Sequence, residues 1–230
     1  MFQLSPYVLL LYNTKMSFVS DYYSKSTVYR MNSRRQRKIL ELLPKDLVGK
    51  KILDVGTASG YFARTLIDKG ALVTAIDISP TAILEAKKFL PDAFVVDIEE
   101  GTGTELLANR KFDFIILGEV IEHLFDPEKV LKYLREMLTE EGLLIITTPN
   151  ILLWSHRLKF LRGIFEYTET GVFDRGHLHF FTYLTLCKTI SKVGYSLVRE
   201  NHDIHPNWFE AYGKHFPNLF AFQLLSLIHI

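Results

Sequence analysis

Ile52-Leu53-Asp54-Val55-Gly56-Thr57-Ala58-Ser59-Gly60 is the stretch on which the fold turns. An apolar, β-rich run ends in an acidic residue and opens through two glycines into Tyr61–Asp68, where Phe62, Leu66 and Ile67 share one helical face. That is a strand, a tight loop and a helix, the unit that carries a nucleotide at the edge of a parallel sheet. A dinucleotide fingerprint would place a further glycine two positions before Gly56, letting the backbone approach a pyrophosphate. Asp54 stands there instead. A carboxylate at that point repels phosphate and suits a nucleoside with a cationic end, while Gly56 and Gly60 still let the backbone pass close beneath the ligand.

Outward from this loop, short apolar runs alternate with helical patterns, as in a parallel sheet covered on both faces. Lys51–Val55 is the first strand and Ala71–Asp77 the second, with Gly70 placed to end the helix between them. Ser79 and Pro80 open a helix through Leu90, Pro91 stops it, and Ala93–Asp97 is the third strand. Phe112–Gly118 is the fourth. Asp126 and Pro127 start a helix to about Leu138, Gly142 breaks it, and Leu143–Thr148 is the fifth. The alternation then stops over Ile151–Phe181, a long crossover of mixed apolar and basic residues that reads as a lid or substrate-facing element. Thr182 caps a helix to Val193, Tyr195–Glu200 is a sixth strand, and Phe220–Ile228 offers a seventh. The organisation is an N-terminal helical segment over 1–48 and a single domain over 49–230 with an insertion at about 151–181.

The second strand ends in Asp77, twenty-one residues beyond Gly56, where doubly wound folds place a side chain that accepts hydrogen bonds from both ribose hydroxyls. The third ends in Asp97, able to accept from an adenine amine. Three acidic strand ends at one sheet edge form a constellation that isolated turn aspartates would not.

Composition narrows the field. At 230 residues, 48% hydrophobic and 23% charged, the chain has enough apolar residues to bury a core. The single cysteine, Cys187, excludes an intramolecular disulfide and a cysteine-based metal site and agrees with a cytoplasmic setting. Residues 51–150 carry ten Lys/Arg against seventeen Asp/Glu, so a nucleic-acid partner is not expected. The basic cluster Arg30, Arg34, Arg35, Arg37 and Lys38 reads as the solvated face of a helix with Ile39, Leu42 and Leu43 inward. No apolar run reaches eighteen residues, and either Met1 or Met16 could be the start.

Asp54-x-Gly56-x-x-x-Gly60, Asp77, Asp97 and Phe112-Asp-Phe-Ile-Ile-Leu-Gly-Glu-Val-Ile-Glu-His-Leu-Phe-Asp-Pro127 resemble the motifs of the class I S-adenosylmethionine-dependent methyltransferases over about residues 35–200. The Glu-Val-Ile-Glu-His segment, with Thr148-Pro149-Asn150 after it, is similar to the branch holding ubiquinone-biosynthesis O-methyltransferases, small-RNA 2′-O-methyltransferases and methyltransferases of glycan and lipid pathways. The resemblance implies an α/β, Rossmann-like doubly wound sheet of seven mostly parallel strands with the last antiparallel. It implies cofactor contacts from Asp54, Gly56, Thr57, Ala58, Gly60, Tyr61, Asp77, Ile78, Asp97, Ile98, Gly118 and Glu119, with S-adenosyl-L-homocysteine as the product.

A helical turn would put Glu119, Glu122 and His123 on one face at the ligand edge. His123 is the expected general base, with Glu122 beside it. In the small-RNA branch a Glu-x-x-Glu-His set and a later histidine hold a divalent ion, which here would make Glu119, Glu122, His123 and His177 the ligands, His179 competing for the last place. That metal site is the alternative, not the favoured reading. The expected activity is methyl transfer to an oxygen of a small-molecule, sugar or lipid-linked acceptor. Three alternatives stay open: a non-catalytic cofactor-binding protein of the same fold, a metal-assisted RNA 2′-O-methyltransferase, and a nucleotide-sugar oxidoreductase, which Asp54 disfavours. Trp154, Phe160, Leu161, Ile164 and Phe165, interleaved with Arg157, Lys159 and Arg162, form a basic amphipathic stripe that fits a lid helix or peripheral membrane contact. Oligomeric state is left open.

Overall fold

The computed structural model describes residues 33–205 and 207–229. The choice of start codon, Arg30 and the rest of 1–32 lie outside them.

The first described helix, α1 (Ser33–Leu42), buries Ile39 and Leu42, with Leu43 just beyond, as its periodicity requires. Its basic face is not solvated as expected. Lys38 is buried and bonds to Asn201 and Glu210, and Arg34 pairs with Asp203 at 3.1 Å. A helix whose cations find carboxylates on the body docks polar face and apolar face alike.

The sheet follows the expected alternation: β1 (Lys51–Val55), β2 (Leu72–Asp77), β3 (Ala93–Val95), β4 (Phe112–Gly118), β5 (Leu138–Pro149), β6 (Ser196–Glu200) and β8 (Ala221–His229). An eighth strand, β7 (Asp203–Ile204), is two residues long and pairs with β8. The order is β3-β2-β1-β4-β5-β8-β6, parallel from β3 to β5, with β8 antiparallel to both neighbours. Side chains alternate across it. Leu53, Val55, Ile115 and Leu117 pack on one side with α4 (Pro127–Glu136) and α6 (Tyr183–Lys192). Ile52, Ile116 and Ile145 pack on the other with α1, α2 (Tyr61–Ile67) and α3 (Pro80–Ala86).

Several boundaries differ from the sequence reading. Strand β3 ends at Val95, so Asp97 lies two residues beyond it, in an isolated bridge to Thr102. Helix α3 ends at Ala86 rather than Leu90. Gly142 does not break α4; the chain is extended from Leu138, and Gly142 lies within an irregular β5 where a Cβ would come within 2.9 Å of the Thr139 backbone. The caps match: Ser79, Asp126 and Thr182 each accept from a first-turn amide.

Over 151–181 the chain forms one short helix, α5 (Trp154–Leu161), and otherwise irregular backbone. Buried Asn150 anchors its start by donating to the carbonyls of Pro217, Asn218 and Ala221. Its end is anchored on the ligand edge, where the amides of Leu178 and His179 both donate to the Glu122 carbonyl.

Candidate functional site

The parallel strands end at one edge, and there the β1–α2 loop turns under a cavity of about 440 Å³. Gly56 and Gly60 both have positive φ, 72° and 76°. A side chain at Gly56 would also strike Val120, so the position is closed to other residues on two counts. The loop is tied to the sheet by the amides of Gly56 and Thr57, which donate to the Ile76 carbonyl.

Asp77 sits at the floor of this cavity. Its carboxylate accepts from the amides of Ala58 and Ser79, each at 2.8 Å, so it braces the loop while facing the cavity. Burial raises its pKa against those bonds. Asp54 lines a second cavity of about 100 Å³ that shares Gly56 with the first. Thr57 donates to it at 2.7 Å, and burial pushes its pKa up to about 6. Asp97 and Ile98 line the first cavity with Ile78. One oxygen of Asp97 also accepts from the amides of Glu99 and Glu100, so this carboxylate shapes its own turn.

The residues expected on one helical face do not share one. Glu119 has φ +61°, and only Ile121–His123 winds, as a 3₁₀ turn. Glu119 therefore points toward α1, its Oε2 3.3 Å from Arg35 Nη1. Burial raises its pKa and the Arg35 charge opposes the rise. Glu119 lies outside the donor cluster that Glu122, His123 and His177 form, with donor atoms within 4.8 Å of one another. His179 is not in it either, its Nε2 lying 3.3 Å from the Phe125 carbonyl oxygen.

Glu122 is 1% exposed, and burial together with the like charge of Glu119 holds its carboxyl well above the usual range. His123 Nδ1 is 3.0 Å from the Gly176 carbonyl oxygen and His177 Nδ1 is 2.9 Å from that of Val172. A carbonyl can only accept, so each neutral ring carries its proton on Nδ1 and presents Nε2 as a lone pair. Burial lowers both pKa values, that of His123 to about 4. Of these three groups only His123 lines the large cavity.

Arg35 escaped the sequence reading. It lines the small cavity beside Asp54, Thr57, Ala58, Tyr61 and Gly118. Its place on a basic helix twenty-one residues before Gly56 looked like a solvated face, and no local pattern distinguishes it from Arg37.

A cavity over two buried aspartates, a glycine loop and a parallel sheet with one reversed strand define a class. Residues 28–200 match the methyltransferase domain family, and the chain belongs to it, with the fold of class I S-adenosylmethionine-dependent methyltransferases. A ubiquinone biosynthesis O-methyltransferase from Pasteurella multocida is 32% identical over 116 residues, 45% of this chain and 48% of the relative. At that level of identity the chain spans about half the relative's length. Another, from Histophilus somni, is 27% identical over 207 residues, 80% of this chain and 86% of the relative. A solved S-adenosylmethionine-dependent methyltransferase from Mesorhizobium loti superposes with TM-score 0.63 at 16% identity, covering 84% of this chain and 96% of that one.

Proposed function

We propose that the chain transfers a methyl group from S-adenosylmethionine to an oxygen of a small-molecule acceptor. The observation that carries this reading is a pair of neighbouring cavities on either side of Gly56, one lined by Asp77, Asp97 and His123 and the other by Asp54 and Arg35. The donor set fits the cofactor. We assign Asp77 to the ribose hydroxyls, and Ile78, Asp97 and Ile98 to the adenine, because all four line the larger cavity. Asp54, raised by burial and by Asp77, gains from a neighbouring cation. Arg35 matches the amino-acid carboxylate, and Gly56, Thr57, Ala58, Gly60, Tyr61, Gly118 and Glu119 surround that end. When bound, the cofactor supplies a methyl group made electrophilic by its sulfonium.

The chain's own part is alignment and proton removal. The carbonyl of Gly176 orients the His123 ring, and we assign Nε2 as the nitrogen that takes the acceptor's proton. Depressed basicity keeps that nitrogen unprotonated through neutral pH. Glu122 is buried off the cavity wall, and its backbone carbonyl holds the insertion in place. Measuring S-adenosylhomocysteine formation against hydroxylated acceptors tests the reading; a chain that binds the cofactor but never turns it over would be a non-catalytic relative.

A second reading has one observation in its favour. Glu122, His123 and His177 lie close enough to share a divalent ion, and the carbonyl bonds to both Nδ1 atoms are the orientation that metal-ligating histidines require. An ion held there would lower the pKa of an acceptor hydroxyl. Glu122 and His177 stand off the cavity wall, and for that reason the metal-free reading is preferred.

A further inference from the structure

Two segments distant in sequence put apolar side chains at the mouth of the large cavity. Phe125 follows the 3₁₀ turn that carries His123, and Leu178 comes from the insertion; both line the cavity and both are exposed, Phe125 at 82%. The backbone beneath the Phe125 ring is held from two sides. The Glu99 carboxylate accepts from the amide of Phe125 at 3.0 Å and from that of Asp126, and the Phe125 carbonyl faces His179 Nε2 at 3.3 Å. Lys129 completes the clamp by donating to the Glu99 carbonyl at 2.6 Å. These bonds exceed what α4 needs for its start, since the Asp126 side chain already accepts from the Lys129 amide. Phe125 and Asp126 are exposed, so water could serve their amides equally well. What a carboxylate with two acceptor oxygens adds is a fixed relation between two loops 26 residues apart.

Glu99 is tied to the cofactor side as well. It follows Ile98 directly, lines the same cavity, and its own amide donates to Asp97 Oδ1 at 3.0 Å. Asp97 and Ile98 are the residues assigned to the adenine. One half-buried side chain thus joins the loop that meets the cofactor to the exposed lip at the cavity mouth.

We propose that Glu99 is a positioning residue that transmits cofactor binding to the Phe125 lip. With the adenine seated against residues 97–98, the Glu99 carboxylate holds the backbone of Phe125 and Asp126 still, and the acceptor meets a preformed entrance. The inference rests on the assignment of the large cavity to the cofactor's nucleoside, and not on the base assigned to His123.

The test is amide hydrogen exchange of the full chain, resolved by NMR at Phe125 and Asp126, with and without saturating S-adenosylhomocysteine. In the parent the ligand should slow exchange at both amides by about tenfold, within the usual range of coupling between sites. Glu99→Gln, with one acceptor oxygen for two amides, should lose the slowing at one of them at least, and Glu99→Asp, a methylene too short to span the gap, should do the same. Phe125→Ala keeps the carboxylate and both amides and should retain it. Because coupling is reciprocal, the Gln variant should also bind S-adenosylhomocysteine more weakly, by no more than the factor of slowing seen in the parent. Slowing that persists at both amides in the Glu99 variants, or that disappears in Phe125→Ala, would show that the ligand shields the amides directly, and overturns the proposal. So does a parent whose two amides ignore the ligand. A chain that binds no S-adenosylhomocysteine fails the cofactor assignment itself, and the proposal with it.

Discussion

His123 and His177 meet edge to face with ring centroids 4.6 Å apart, and each turns Nδ1 to a backbone carbonyl. Both therefore present Nε2, yet only His123 reaches the large cavity. The base reading expects His123→Ala to lower turnover by about a hundredfold or more, with His177→Ala costing several-fold and EDTA leaving activity intact. Equal losses in the two variants, with activity removed by EDTA and restored by magnesium, manganese or cobalt, would establish the metal-assisted reading instead.

Asp77 braces the loop and faces the cavity with the same carboxylate. Asp77→Ala should weaken S-adenosylhomocysteine binding by about 2–3 kcal/mol, since two charge-assisted bonds go and polar groups are left unpaired. Titration calorimetry measures this; unchanged affinity would reject Asp77 as the ribose anchor.

Arg35 is the candidate partner of the cofactor's carboxylate. Arg35→Ala should cut affinity for S-adenosylhomocysteine by about 1.5–3 kcal/mol and leave 5′-methylthioadenosine, which lacks the amino-acid end, bound as before. Parallel losses for both ligands would show that Arg35 acts only by holding α1 in place.

Asp54 and His123 separate affinity from turnover in their pH dependence. The folded-state pKa of Asp54 lies near 6, so its negative charge is lost as pH falls through 6 and affinity for a cationic cofactor should drop between pH 7 and 5. His123 titrates near 4, so turnover at saturating cofactor should stay level over the same range. For the empty protein the signs oppose. A raised Asp54 pKa favours folding as pH falls from 6 toward its unfolded value, while a lowered His123 pKa costs stability below about 6.5. A turnover profile falling with a midpoint near 6.5 would show that the base titrates at the ordinary imidazole value and that burial does not depress it in the working enzyme.

Hydrogen exchange should divide the insertion. Helix α5, with no buried residue, is expected to exchange much faster than β1 and β4, whereas the amides of Leu178 and His179, bonded to the Glu122 carbonyl, should be protected. Protection of α5 equal to that of the central strands, without ligand, would make it a packed structural element.

Periodicity and turn chemistry alone gave the alternation from Lys51 to Pro149, the glycine loop and the acidic strand end at Asp77, because each is encoded within a dozen residues, whereas Asp97 falls two residues beyond its strand. Short apolar runs must be buried on both faces, and only a strand ending in the loop lets Gly56 adopt its positive φ. Tertiary structure decided what depends on distant partners. Arg34, Arg35 and Lys38 look like any exposed basic turn until Asp203, Glu119 and Glu210 are brought against them, from 84 to 172 residues away. Glu119 parted from Glu122 and His123 because one left-handed residue redirects its side chain, which spacing cannot show. His177 joined His123 because two amides of the insertion close on the Glu122 carbonyl. The β-rich run ending in Asp54 is a local signal, whereas the donor set around His123 is a product of chain crossing.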